Sequence, residues 1–223
     1  MLNAVRLRCE HQQDPVGIGE EVPRFSWILE SDRQGVIQKS FRLQVATDES
    51  FSAVLSDTGV VRSAQSVLVE YSGPALLSST RYFYRVRVRD NHGEESPWSG
   101  TGFFETGLLD PALWRARFVS PEDEGAGASS AGMLLRREFG IAGEVAFARI
   151  YSTALGVYEL SLNGARVGDA LLTPGWTSYS KRLLYQTWDV TGRLRRPGAF
   201  RRVRRRGAGP ARLRGYSFRY SCG

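Results

Sequence analysis

The chain has 223 residues, 42% of them hydrophobic, with a formal net charge of +7. That length holds one or two domains of roughly 100–150 residues, and the composition is that of a globular protein. No run of about 18 consecutive apolar residues occurs, which excludes a membrane-spanning helix.

The charge is unevenly placed. Eleven arginines and no acidic residue lie between positions 190 and 223, which leaves 19 basic against 23 acidic residues in 1–189, a body charge of −4. The basicity therefore belongs to a tail, and the body offers no basic face of the kind that binds nucleic acid. The opening Met1-Leu2-Asn3-Ala4-Val5-Arg6 has no charged segment followed by an apolar one. This predicts no secretory signal peptide and a cytoplasmic location. Cys9 and Cys222 stand at opposite ends, which predicts two unpaired thiols, with neither a disulfide framework nor a zinc site.

In chain order the body reads as short strands. Phe25-Ser26-Trp27-Ile28-Leu29 comes first, then Phe41 with Leu43 and Val45 alternating with Arg42 and Gln44. Val67-Leu68-Val69-Glu70-Tyr71 follows, and then Tyr82, Tyr84, Val86 and Val88 alternate with Phe83, Arg85, Arg87 and Arg89. A strand sends successive side chains to opposite faces, so each pattern puts an apolar row on a core. Turn residues separate the runs at 32–35, 57–59, 72–74 and 91–93, a spacing that predicts a β-sandwich over 1–108. Residues 107–114 read as a linker with one helical turn, and 121–132 as a flexible loop. Strands are predicted again at Met133 to Phe139 and Val145 to Thr153. Asn163-Gly164 between two strand patterns predicts a tight hairpin, because both residues tolerate positive φ.

Two segments resemble the bacterial α-L-rhamnosidases. The first comprises Pro23-Arg24-Phe25-Ser26-Trp27, Tyr82-Phe83-Tyr84-Arg85-Val86, Ser96-Pro97-Trp98-Ser99 and Phe104-Glu105-Thr106-Gly107-Leu108; these pieces also suit a fibronectin type III-like sandwich. The second and more specific segment runs from Thr153-Ala154-Leu155-Gly156-Val157-Tyr158-Glu159 through Asn163-Gly164 and Val167-Gly168-Asp169 to Leu172-Thr173-Pro174-Gly175-Trp176-Thr177-Ser178-Tyr179-Ser180-Lys181-Arg182 and Tyr185-Gln186-Thr187-Trp188-Asp189-Val190-Thr191. The likeness covers roughly residues 5–194. It implies an all-β chain of two consecutive sandwiches: a fibronectin type III or immunoglobulin-like domain over 1–108, then an incomplete jelly-roll-like domain over 113–194. It also implies rhamnose-containing glycosides as the substrates of a parent enzyme. Enzymes of that family hydrolyse terminal α-L-rhamnose with inversion, which needs two carboxyl groups about 6.5–9.5 Å apart, and the family carries these in an (α/α)6 barrel. No paired helical pattern follows residue 194, so no catalytic residue is carried over and no cofactor is implied.

The tail departs from the family pattern. From Arg195 onward only Arg, Pro, Gly, Ala, Phe, Val, Leu, Tyr, Ser and Cys occur, the alphabet of a GC-rich gene read out of frame. This predicts a disordered basic tail over 195–223 and an open edge on the second sandwich, with 113–194 less stable than 1–108. The alternative is an arginine-rich segment binding polyanions in a salt-sensitive, sequence-blind way; no specific nucleic acid is implied.

Asp169, Trp176, Tyr179, Lys181 and Arg182 are the candidate substrate-binding residues. Aromatic rings stack on sugar faces and charged heads hydrogen-bond hydroxyls. The competing reading is that Trp176 and Tyr179 pack a loop against the sandwich or against a barrel. Trp98 reads as an edge residue closing a sandwich, and Asp14, Glu20, Glu21 and the 122–124 acidic run read as solvated loop charges. His11 and His92 have no patterned ligands beside them. No phosphate-binding glycine loop or nucleophile elbow is present. Three classes of function remain: accessory region of a rhamnosidase, glycan-binding module, and fibronectin-like structural protein.

Overall fold

The computed structural model describes residues 1–119, 134–141 and 143–194, together with the backbone of 203–206 and 216–222. It divides into two compact units, Met1–Pro111 and Ala112–Gly223. The described elements are strands apart from two 3₁₀ turns, Pro111–Leu113 and Thr191–Arg193.

The first unit has eight strands: β1 (Asn3–Cys9), β2 (Val16–Ile18), β3 (Arg24–Glu30), β4 (Gln38–Ala46), β5 (Val54–Asp57), β6 (Val69–Glu70), β7 (Arg81–Asp90) and β8 (Gly102–Thr106). They form a sheet ordered β1-β3-β6 and a larger sheet ordered β2-β8-β7-β4-β5. In β7 the alternation resolves as expected, with Tyr82, Tyr84, Val86 and Val88 buried. Its partner β4 sets Phe41 opposite Val88, Leu43 opposite Val86 and Val45 opposite Tyr84, so the two apolar rows share one face. Phe25 and Trp27 from the facing sheet close the core. The Phe25 ring lies 4.7 Å from Tyr84 and 5.6 Å from Phe104, and Trp27 lies 5.3 Å from Phe41. Each such buried ring stabilises the unit by roughly 1.5–3 kcal/mol. Trp27 Nε1 donates to Gln38 Oε1 at 2.9 Å, and Gln38 Nε2 donates to the carbonyls of Ser63 and Gln65. Cys9 is a free, buried thiol, and burial pushes it well above the ordinary range, so it stays protonated and packs as a small apolar group.

Trp98 lies on the outer face of this unit. The segment 96–99 runs beside β7, with backbone bonds from Ser96 N to Val88 O and from Ser99 N to Val86 O. The indole has the Arg85 and Arg87 guanidinium groups over it at 4.5 and 4.6 Å, cation–π contacts that cover an otherwise apolar ring. Asp14 is more than a solvated charge: its Oδ1 accepts the Phe103 amide at 2.9 Å. Val67–Tyr71 is shorter as a strand than its composition suggests, because Leu68 takes φ +52° and only Val69–Glu70 pairs.

The second unit contains β9 (Val145–Ser152), β10 (Glu159–Leu162), β11 (Ala165–Arg166), β12 (Gln186–Asp189), β13 (Val203–Arg206) and β14 (Tyr216–Cys222). Its sheets are ordered β12-β9-β14 and β11-β10-β13. The Asn163-Gly164 hairpin forms, with Leu162 paired to Ala165 and φ of +55° and +84° at its two turn residues. The core gathers Ala148, Ile150, Tyr158, Leu160, Leu162, Val167 and Val190, with Leu135, Phe139 and Trp188 packed against it. Arg149 projects from β9 away from this core. It is buried and paired with Asp189 Oδ1 at 2.9 Å, opposite it in the sheet register, which offsets the cost of an interior charge.

Two expectations are corrected. Leu134 to Phe139 do not form a strand; Leu135 and Phe139 are instead held by the core as packing residues without a ladder. The tail is not wholly without structure: β13 pairs with β10 and β14 with β9, both antiparallel. β9 and β10 are therefore each paired on both sides. The reason is that a strand edge offers N–H and C=O groups to any backbone, whatever its composition. The expected loop at 121–132, Met133, and the tail residues 195–202, 207–215 and 223 lie outside the described residues.

Candidate functional site

The five candidate residues fall in one loop that leaves β11 and enters β12. Both ends of this loop are fixed by hydrogen bonds. At its start, Tyr158 N donates to Thr173 O at 2.9 Å and Thr173 Oγ1 donates to Tyr158 O at 2.7 Å. Gln186 Nε2 donates to Pro174 O at 2.9 Å. At its end, Thr153 Oγ1 donates to Leu184 O at 2.5 Å.

These anchors meet in a polar network beneath the loop. The Tyr158 hydroxyl lies 2.5 Å from Ser152 Oγ and donates to Gln186 Oε1 at 2.8 Å, while Trp188 Nε1 donates to Ser152 Oγ at 3.0 Å. Low-dielectric surroundings strengthen such bonds and make each lost member costly. Gly168 sits at φ +72°, and a Cβ there would lie 1.9 Å from the Trp188 ring. Only glycine combines that backbone with that approach.

The loop's own bonds turn inward as well. The Tyr179 hydroxyl accepts the Gly156 amide at 3.0 Å. Lys181 N and Arg182 N both donate to Ser178 O, and Thr177 Oγ1 donates to Arg182 O at 2.6 Å. The Trp176 and Tyr179 rings stand 6.3 Å apart, tilted by 39°. Trp176 is 88% exposed, so it does not pack on the sandwich. Tyr179 is half-buried, and Asp169, Lys181 and Arg182 are exposed. The structure thus brings Trp176 and Tyr179 together and leaves the three charged residues on the same loop's surface.

Sequence reasoning passed over Leu171 and Leu172, which are 75% and 76% exposed beside the loop's first anchor. Leu172 has φ +56°, a left-handed conformation that a leucine rarely adopts. Their adjacency in a stretch between two strand patterns was the available signal.

Three of the described carboxylates of this unit lie beside arginines. Glu138 pairs with Arg136, Glu159 lies 3.7 Å from Arg166, and Asp189 pairs with Arg149. A glycosidic general acid needs a carboxyl kept in apolar surroundings, and these groups sit beside guanidinium cations instead. Among the described residues no three His, Cys, Asp or Glu side chains converge on a metal-sized site.

Comparison with known proteins gives a consistent family. Residues 4–110 match the model of the Rha78A-like, N-terminal immunoglobulin domain, and residues 143–200 match that of the alpha-L-rhamnosidase N-terminal domain. An alpha-L-rhamnosidase of Formosa agariphila is 30% identical over 208 residues, covering 82% of this chain and 22% of its own length. One of Streptomyces avermitilis is 35% identical over 183 residues, covering 71% and 18%. Among solved structures, the alpha-L-rhamnosidase from Dictyoglumus thermophilum superposes with a TM-score of 0.85 at 29% identity, covering 97% of this chain and 27% of that one. The Aspergillus terreus rhamnosidase gives a TM-score of 0.82 at 27% identity, covering 100% and 29%. The chain therefore spans about a fifth of the length of the curated relatives it matches. The first unit is therefore a Rha78A-like N-terminal immunoglobulin domain and the second carries an alpha-L-rhamnosidase N-terminal domain, so the chain consists of N-terminal domains of alpha-L-rhamnosidase-like proteins.

Proposed function

We propose that this chain is the non-catalytic N-terminal β region of a glycoside hydrolase that removes terminal α-L-rhamnose from rhamnose-containing glycosides. The observation that carries the reading is that both matched models are N-terminal modules and that together they occupy both units. Chemistry supports the division of labour. Inverting hydrolysis needs one carboxyl to protonate the leaving oxygen and a second to activate water, about 6.5–9.5 Å away. In the second unit the arginine-paired carboxylates lack the apolar setting an acid requires. Catalysis then belongs to the part of the relatives that this chain does not span, and the β region contributes position and surface.

The test is turnover of a chromogenic α-L-rhamnoside by the purified chain, run beside the Dictyoglumus thermophilum enzyme. The expected result is hydrolysis by that enzyme and none by the chain. Turnover by the chain that is lost on substituting Asp169 would overturn the reading and move the chemistry into the loop.

A further inference from the structure

We propose that the outer face of the first unit holds an oxyanion site centred on Arg85, which takes one carboxylate or sulfate group, either free or borne by a sugar. The proposal is independent of the functional reading above. Strand register builds the face: β4 and β7 set Gln44 opposite Arg85, Arg42 opposite Arg87 and Ser40 opposite Arg89. Side chains two apart along a strand share a face, so Arg85, Arg87 and Arg89 stand in one row with Arg42 beside it. Charge on this face does not balance. Arg42 is paired with Asp57, while Arg87 and Arg89 share Glu95. Arg85 meets no carboxylate among the described residues; its Nε and Nη2 both donate to the neutral Gln44 Oε1, at 2.9 and 2.8 Å. Asp57 is the nearest carboxylate along this chain of bonds, but its oxygens already accept Arg42, Gln44 Nε2 and the Gly59 amide. Four guanidinium groups thus face two carboxylates.

The Arg85 guanidinium is held in place for a ligand. Its Cζ lies 4.0 Å from the Phe51 ring centroid and 4.5 Å from that of Trp98. The Phe51 loop is pinned in turn by the Asp48 carboxylate, which accepts the Ser52 and Ala53 amides. With its faces on rings and one edge taken by Gln44, Arg85 keeps its Nη1 donors for an acceptor. Arg87 Nε is buried without a hydrogen-bond partner, an unmet donor in the same row. Burial, and then the Arg87 and Arg42 cations, push the Arg85 guanidinium below the ordinary arginine value. An anion beside it would offset that cost. Because the fork is already ordered, little side-chain entropy is lost on binding, and a planar fork matches the paired oxygens of carboxylate or sulfate. The excess is local: residues 1–189 carry a net charge of −4, which suits a single anionic group and opposes a long polyanion.

The full chain, isotopically labelled at arginine nitrogens, is titrated at constant ionic strength with sodium sulfate and separately with D-galacturonate, D-galactose serving as the neutral blank. The Nε–Hε signals of Arg42, Arg85 and Arg87 are followed by NMR. Either anion is expected to shift them to saturation and the blank to leave them in place. The signal of Arg8, exposed on β1 in the other sheet, stays where it is. Arg85→Lys keeps the charge and loses the fork, and weakens binding about tenfold; Arg8→Gln leaves it unchanged. Saturation by galacturonate at a lower concentration than by sulfate assigns the anion to a sugar, and the reverse order assigns a free ion; both uphold the site. Shifts that stay linear in anion, that appear equally at Arg8 or that galactose reproduces overturn it from the unaltered chain alone, whether or not Arg85→Lys folds. Unchanged affinity in an Arg85→Lys variant shown to be folded by circular dichroism overturns it as well.

Discussion

Gly168→Ala tests whether the polar network and the core of the second unit are built as described. Two costs combine at this position. The residue sits at φ +72°, where an alanine loses about 1–2 kcal/mol. Its Cβ would also lie 1.9 Å from Trp188 Cζ3 and 2.6 Å from Cε3, a separation that no relaxed contact allows. Trp188 must give way, and overpacking of this kind costs about 1–3 kcal/mol. The indole is held by its bond to Ser152 Oγ at 3.0 Å, so moving it adds about 1 kcal/mol for the strained hydrogen bond. The total is about 3–6 kcal/mol, a large share of the roughly 5–15 kcal/mol that stabilises a domain. Gly164→Ala supplies the control. Gly164 has φ +84° with nothing within 4 Å of its Cβ position, so it bears the backbone cost alone, about 1–2 kcal/mol. In thermal melts followed by tryptophan fluorescence, at roughly 4 °C per kcal/mol for a unit of this size, Gly168→Ala falls by at least about 12 °C. By the same conversion Gly164→Ala falls by about 4–8 °C. Equal midpoints for the two variants would refute the Gly168–Trp188 contact.

Two further outcomes follow from other contacts. Asp57 accepts from Arg42 Nε and Nη2, Gln44 Nε2 and Gly59 N, and the Arg42 guanidinium beside it holds its carboxyl well below the usual range. A carboxylate whose folded pKa is depressed contributes fully above its unfolded value near 4 and less as pH falls below it. The urea midpoint of the first unit is therefore expected to be flat from about pH 5 to 7 and to drop below about pH 4, with Asp57→Asn flattening that drop; an unchanged acid slope in the variant would count against the pair. Ending the chain at Leu194 removes the strand that pairs with β9 at seven positions and the one that pairs with β10 at four. The expected result is a lower melting midpoint and aggregation through the bared edges, visible by light scattering. A monomeric product with an unchanged melt would show that β13 and β14 add nothing.

The first unit was legible because its signal is local. Tyr82, Tyr84, Val86 and Val88 announce a face at period two, and β4 repeats the pattern at a length that matches it. The Asn163-Gly164 hairpin was legible for the same reason: the positive φ its turn needs is written in its two residues. The tail strands were not. Their pairing joins residues far apart in the chain, as in Tyr216 with Ser152 and Val203 with Leu162, and arginine-rich composition masked the alternation in Tyr216-Ser217-Phe218-Arg219-Tyr220-Ser221. Leu134 to Phe139 erred in the opposite direction. Its apolar residues serve the core, but a run of six with Arg136 and Arg137 at its centre does not alternate, and packing alone does not make a ladder.

The loop shows the same division between residue types and their placement. Trp176 and Tyr179 were visible as aromatics three apart in a polar stretch, but their exposure depends on what lies beneath them. Ser152 closes β9, Tyr158 precedes β10, Gln186 opens β12 and Trp188 lies within it, and one set of hydrogen bonds joins all four to the loop's anchors. The position of an exposed indole is thereby set by strands from both sheets of the unit. It follows that a core substitution such as Gly168→Ala acts on the surface too: displacing Trp188 loosens Ser152 and Tyr158, and through them the Thr173 and Pro174 anchors. Stability of the second unit and presentation of Trp176 are one property, because the hydrogen bonds that order the loop are members of the core's own network.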